Sequence, residues 1–271
     1  MSGYAFRYLK KKAIRFTGFK HRIYFGFTTQ MDSLILYKPP YPLLRIGSQT
    51  GDGGYMVCNL PGSYDIIIAC GVSSNIDFEI DFCARYPGLK CFAFDGTVES
   101  LPKTAKNVTF VKQNVGNGTD GTTNLKEYIG EHENVFLKMD IEGHEFRVFP
   151  ELADVMHRIK QIVMEIHSPG DIQLHPTYFK GLADITHPVM FNMLEMINKT
   201  HTLVHVHPNN GCEVHTYEGT VLPNVFECTF VRNEFVDSKI KNTLPLPMSF
   251  DMPNVKEKSI VVFKEYPFRS V

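Results

Sequence analysis

The chain holds no tryptophan, no C-x-x-C pair, no long apolar run and almost no net charge. The first absence decides nothing; the others each exclude a class. Six cysteines (Cys58, Cys70, Cys83, Cys91, Cys212, Cys228) sit mostly in apolar, strand-like runs, so buried thiols are expected in place of a zinc site or disulfide framework. No stretch approaches the ~20 apolar residues of a membrane helix, and the N-terminus lacks the apolar core of a signal peptide. A reducing, cytoplasmic setting is the expectation, and the sequons at Asn107, Asn117 and Asn198 read as chance. With 28 Lys and Arg against 29 Asp and Glu, a nucleic-acid binder, whose footprint is basic, is not expected. Also missing is a glycine-rich phosphate loop. The stretch YDIIIACGVSSNIDFE (64–79) runs a strand into a turn with one glycine, Gly71, where a dinucleotide fingerprint has three.

What is present is alternation. Residues 1–31 form a basic arm (Arg7, Lys10, Lys11, Lys12, Arg15, Lys20, Arg22) with interleaved aromatics and no acid before Asp32. It reads as a solvated helix packed by its aromatic side, with membrane-surface contact as the functional alternative. YKPPYPLLRIG (37–47) reads as an extended linker. Strands are expected at 63–70, 89–95, 107–114, 134–140 and 159–167, with helices at 75–86, 125–129 and 144–153 between them. Ser74 and Asp77 have capping-box spacing for the first helix, and Pro87-Gly88 stops it. After a polar insertion (168–187), a helix at 188–199 places Val189, Met190, Met193, Leu194 and Ile197 on one core face. Strands at 201–208 and 224–233 close the pattern. The fold class is therefore α/β: a mostly parallel sheet with helices on both faces and an antiparallel C-terminal hairpin.

In such sheets the ligand lies beyond the C-terminal ends of the strands. Standing there are Gly71 and Ser73, then Asp95, Gly96 and Thr97, then Asn114 and Val115. The later strands add Asp140, Glu142 and His144, then Glu165 and His167, then His205, His207 and Asn209. Asp95 ends the strand after Gly71, where an acid accepts hydrogen bonds from an adenosine ribose diol. A pyrophosphate needs several glycines for close backbone approach. S-adenosylmethionine carries no phosphate, and one glycine suits it.

VFLKMDIEGHEFRVFPEL (135–152) closely resembles the K-x-D-x-E-G-x-E signature of the FkbM-type S-adenosylmethionine-dependent methyltransferases. RIGSQTGDGGYMV (45–57), ACGVSSNIDFE (69–79) and FAFDGT (92–97) resemble that family's preceding blocks, and IVMEIH (162–167) and HVHPNN (205–210) its later ones. The resemblance implies a Rossmann-like class I methyltransferase domain over residues 43–271, behind the arm and linker of 1–42. It implies transfer mainly to oxygen, often on sugars, and a small-molecule or glycan acceptor. Ala69-Cys70-Gly71-Val72 departs from the richer glycine loop of many methyltransferases.

On this reading Gly71 and Ser73 face the cofactor, Asp95 and Gly96 its ribose, and Asn114 and Val115 its adenine. Asp140 faces the methyl donor, and the resemblance folds the Asp52–Tyr55 loop over the cofactor. His167 and His207 have ordinary pKa values suited to general-base work. Asp140, Glu165, His167 and His207 form an alternative ligand set for a divalent cation, Mg or Mn. Residues 168–187, with His175, Tyr178 and His187, are an expected acceptor lid. Two other readings compete: a nicotinamide-dependent oxidoreductase, which the missing glycines oppose, and a catalytically silent binding module.

Overall fold

The computed structural model describes residues 30–119 and 121–270. The basic arm, up to residue 29, lies outside the described residues. In chain order the elements are β1 (Leu43–Gly47), β2 (Gly54–Cys58), β3 (Ile66–Cys70), α1 (Asp77–Arg85), β4 (Lys90–Phe94) and β5 (Val108–Val111). There follow α2 (Lys126–Ile129), β6 (Val135–Met139), α3 (Glu145–Val148), β7 (Ile159–His167), α4 (Pro169–Leu174) and α5 (His187–Asn198). The chain continues through β8 (His201–Pro208), β9 (Val214–Tyr217), β10 (Thr220–Pro223) and β11 (Val225–Arg232).

Every residue of β3 and β6 is buried, which is why both read as unbroken apolar runs. They lie side by side and parallel in a seven-stranded sheet of order β5-β4-β3-β6-β7-β11-β8. The sheet is parallel from β5 to β7, and β11 runs antiparallel to both of its neighbours. The expected C-terminal hairpin is thus present as a pairing of β8 with β11, but β11 is inserted inside the sheet and β8 holds the edge. This Rossmann-like order puts the ends of β3, β4, β6 and β7 along one rim.

Both faces are covered. On one, α1 and the β1–β2 hairpin bury an aromatic cluster of Tyr55, Tyr64, Phe78, Phe82 and Phe136. The Phe82 and Phe136 rings lie 4.1 Å apart, and Phe136 sits in the central strand. On the other face α2 to α5 close a larger core. Met190, Met193, Leu194 and Ile197 of α5 join it, while Val189 is half-buried.

Four local expectations are corrected. Residues 43–47, read as the end of a linker, pair with β2 as a strand. Helix α1 starts at Asp77 without a capping box: Ser73 takes a left-handed turn (φ 45°), leaving Ser74 ahead of the helix, and Asn75 Oδ1 instead accepts the Asp77 N–H at 2.9 Å. The helix expected over 144–153 is α3 followed by a 3₁₀ turn at Phe149–Leu152, because Pro150 has no N–H for an α-helical bond. The insertion, read as polar, also has an apolar side: it contains α4, and Ile172, Phe179, Leu182 and Ile185 enter the main core.

Candidate functional site

The backbone builds the rim first. Gly71 ends β3 at φ 74°, and a Cβ there would overlap the carbonyl oxygen of Asp140. Only glycine lets the two strand ends approach so closely. The Gly71 N–H donates to Phe94 O (2.9 Å) and the Asp140 N–H to Cys70 O (3.0 Å), so three strand ends are tied together.

Beyond them opens a cavity of about 580 Å³, a volume typical of small-molecule sites. Six of the expected cofactor residues line it: Gly71, Ser73, Asp95, Asn114, Val115 and Asp140. Asp95 is buried and fixed: Oδ2 accepts the Ser73 N–H at 2.7 Å, and Oδ1 accepts the Thr97 N–H and hydroxyl at 2.8 and 2.6 Å. Partial burial pushes its carboxyl up, but these hydrogen bonds outweigh it and hold the group below the usual range. Its carboxylate faces the cavity as an acceptor. Gly96 stands outside the lining and donates its N–H to Asn114 Oδ1 at 3.1 Å.

Asp140 is braced from the hairpin. The Tyr55 hydroxyl donates to Asp140 Oδ2 at 2.8 Å, so Tyr55 reaches the cavity through this carboxylate. Burial pushes the Asp140 carboxyl up, against the charge of Lys138 and the Tyr55 hydrogen bond. Asp52 does not reach the lining: it is exposed and accepts from Asn254 Nδ2 at 3.2 Å.

The expected bases stand elsewhere. His167 contacts Asp171 (Nδ1–Oδ2 2.8 Å), Glu142 (Nε2–Oε2 3.1 Å) and Glu165 (3.8 Å). Burial alone would lower this imidazole, but Asp171, Glu142 and Glu165 outweigh it and raise it to about 11. The expectation of an ordinary pKa at His167 is therefore corrected: the ring is held as a cation. His207 is buried at the far end of the row, with Nε2 3.0 Å from Asn254 Oδ1 and Nδ1 3.6 Å from Asp251 Oδ2. Glu165 lies in register with Glu227, and Glu227 with His207, so these three cross the sheet as one buried row. Burial pushes Glu165 well up and Glu227 to about 7.

Among the described residues no group of three or more His, Cys, Asp and Glu could hold a metal ion. The set Asp140, Glu165, His167 and His207 is not gathered round one point, and the Mg or Mn alternative is not carried further. Nor is any helix of the described residues long and apolar enough to cross a membrane.

Several contributors carried no signal. Gln113 and Thr122 complete the cavity lining, Asp171 meets His167 from four residues on, and Glu227, Asp251 and Asn254 enter only through tertiary packing. Tyr178, from the insertion, lines the cavity and is 66% exposed, so its ring faces the mouth.

A family model described as "Methyltransferase FkbM domain" matches residues 55–199, more than half of the chain. No curated protein matches the chain. Among solved structures it is similar to a protein described as a hemolysin from Streptococcus thermophilus (14% identity, 71% of this chain and 66% of that one, TM-score 0.38). It is also similar to a protein described as a methyltransferase from Streptococcus mutans, in complex with S-adenosylhomocysteine (11% identity, 74% and 92%, TM-score 0.34). A third is precorrin-6y C5,15-methyltransferase from Geobacter metallireducens (14% identity, 64% and 82%, TM-score 0.37).

Proposed function

The chain belongs to the FkbM methyltransferase family, an S-adenosylmethionine-dependent family, and from that premise we propose that it methylates a hydroxyl of a sugar or glycan. The observation that carries the cofactor part of the reading is Asp95, fixed at the end of β4 over a cavity entered by a single-glycine turn. This acceptor suits a ribose diol, and the single-glycine turn offers no phosphate cradle, so the residues present fit the cofactor. When bound, S-adenosylmethionine supplies a methyl group already activated by its sulfonium.

The chain's own work is then positioning, shielding and one proton. Asp95 accepts from the ribose, Asn114 and Val115 frame the base, and the Gly71 turn admits the amino-acid tail. Asp140, with its carboxyl pushed up by burial and steadied by Tyr55, takes the acceptor proton. His167, held cationic, orients Glu142 and Glu165 beside the acceptor instead of acting as the base. Glu142, His144 and Tyr178 at the mouth offer a hydroxylated small molecule or glycan both hydrogen bonds and an aromatic face. Membrane-surface contact by the basic arm is retained as part of this proposal.

Calorimetric titration of S-adenosylmethionine and S-adenosylhomocysteine, with NADH as control, tests it. Saturable binding to wild type is expected, weakened about tenfold or more in Asp95→Ala. A folded wild type that binds neither sulfur ligand would sink the reading and favour a silent module. Once binding is established, transfer of labelled methyl to a panel of glycans tests the acceptor.

A further inference from the structure

Beneath the Gly71 turn lies a pair of charges that reaches neither solvent nor the cavity lining. Lys138, in the central strand β6, is 5% exposed, and Glu79, in the first turn of α1, is fully buried. Their closest approach is 3.6 Å, beyond hydrogen-bond length. Neither Glu79 oxygen has a hydrogen-bond partner among the described residues. A buried carboxylate held by a single counter-ion at 3.6 Å costs stability that a packed apolar pair would not. The Lys138 ammonium offsets part of that cost, and its own position is set by further contacts.

That placement is specific. Lys138 Nζ donates to Gly71 O at 3.4 Å and lies 5.5 Å from the centre of the Tyr55 ring, whose hydroxyl holds Asp140. One cation thus touches the cofactor turn and the brace of Asp140. Its charge also opposes the burial that pushes Asp140 up. Burial would lower Lys138 itself, but Glu79, Asp140 and Cys70 outweigh it and hold the amine protonated.

We propose that Lys138, with Glu79 as its counter-ion, is a positioning residue that sets the Gly71 turn and the Asp140 carboxylate for cofactor binding from beneath. The inference rests on the cofactor reading above. Lys138 touches no ligand; it acts through the Gly71 carbonyl, Tyr55 and Asp140.

The test is titration of S-adenosylhomocysteine into full-length Lys138→Met/Glu79→Gln, with wild type and Glu79→Gln alongside, and thermal unfolding of each. The neutral pair keeps the shape and removes both charges, so its unfolding temperature is expected within a few degrees of wild type. Its affinity is expected to be about tenfold weaker or more. Asp140 is faced by Lys138, Tyr55, Glu79, Glu142, Glu145, Glu165 and His167; of these Lys138 opposes its protonation most strongly, so loss of the pair still favours the protonated carboxyl. The pH below which affinity declines should therefore move up by about one unit. Affinity that returns with stability in the double variant, at an unchanged pH profile, overturns the proposal while leaving the cofactor reading intact. A wild type that binds no S-adenosylhomocysteine overturns both.

Discussion

At His167 three carboxylates converge on one ring, and their sum decides what the residue can do. Its folded pKa, about 11, lies above the ordinary histidine value. The charged contacts therefore stabilise the fold fully below the unfolded pKa of about 6.5, and that contribution is lost as pH rises through the folded value. The ring-carbon NMR shifts of His167 should stay flat from about pH 6 to about pH 9. Asp171→Asn, which removes the 2.8 Å partner, should bring the midpoint down. A wild-type midpoint near neutrality would restore His167 as a candidate base. Asp95 shows the opposite case at the same scale: it lines the cavity at the strand end where its sequence position puts it, because strand-end hydrogen bonds are local.

At the scale of an element, the turn after β6 explains the spacing of the signature. Lys138 points down to Glu79, Asp140 accepts from Tyr55, and Glu142 reaches His167 from a left-handed backbone (φ 56°). Such a conformation in a residue other than glycine is held only where the surroundings fix it. Gly143 follows at φ 84°, and Glu145 Oε1 accepts the Ile141 N–H at 2.8 Å to close the turn. A Cβ on Gly143 would stand 2.9 Å from Leu182 Cδ1, in the segment that carries Tyr178. Gly143→Ala should therefore cost about 1–2 kcal/mol in denaturant unfolding. It should also displace Tyr178 from the mouth; an unchanged midpoint would show that this turn is not what seats the insertion. The C-terminal segment is a second such element. Asp251 accepts from His205 Nε2 at 2.9 Å, and Asn254 bridges Asp52 and Glu227, so residues far along the chain wall the outer end of the row.

Over the whole molecule, stability against pH is set by buried ionisable groups of opposite habit. Burial lowers His201 to about 4, so its contribution is intact above the unfolded value and is lost as pH falls toward 4. Burial raises Glu145 to about 7, so its charged form costs stability increasingly as pH rises from the ordinary carboxylate range through 7. The two trends cross the same window with opposite sign. Glu145→Gln keeps an oxygen for the Ile141 N–H and removes the charge. It should be near neutral at about pH 4.5 and stabilising at about pH 8, by an amount on the order of 3 kcal/mol. Equal unfolding temperatures of the two proteins at both values would mean that Glu145 is not burdened by its charge.

The sequence by itself determined the alternation of strands and helices, the buried character of β3 and β6, and the rim positions of Gly71, Asp95, Asn114 and Asp140. Those features follow from local periodicity and from the rule that ligands gather at parallel strand ends. Only the tertiary structure decided the insertion of β11 beside β7, since pairing order is a choice among strands of similar pattern. It alone made His167 a cation and turned His207 toward Asp251, because a side chain's charge depends on its neighbours: Asp171 is close in the chain, but Glu142, Asn254 and Asp251 come from other segments. Lys138 is the clearest case. In the chain it is one basic residue inside an apolar strand, and its meaning lies in Glu79, Gly71 and Tyr55, which only the fold assembles around it.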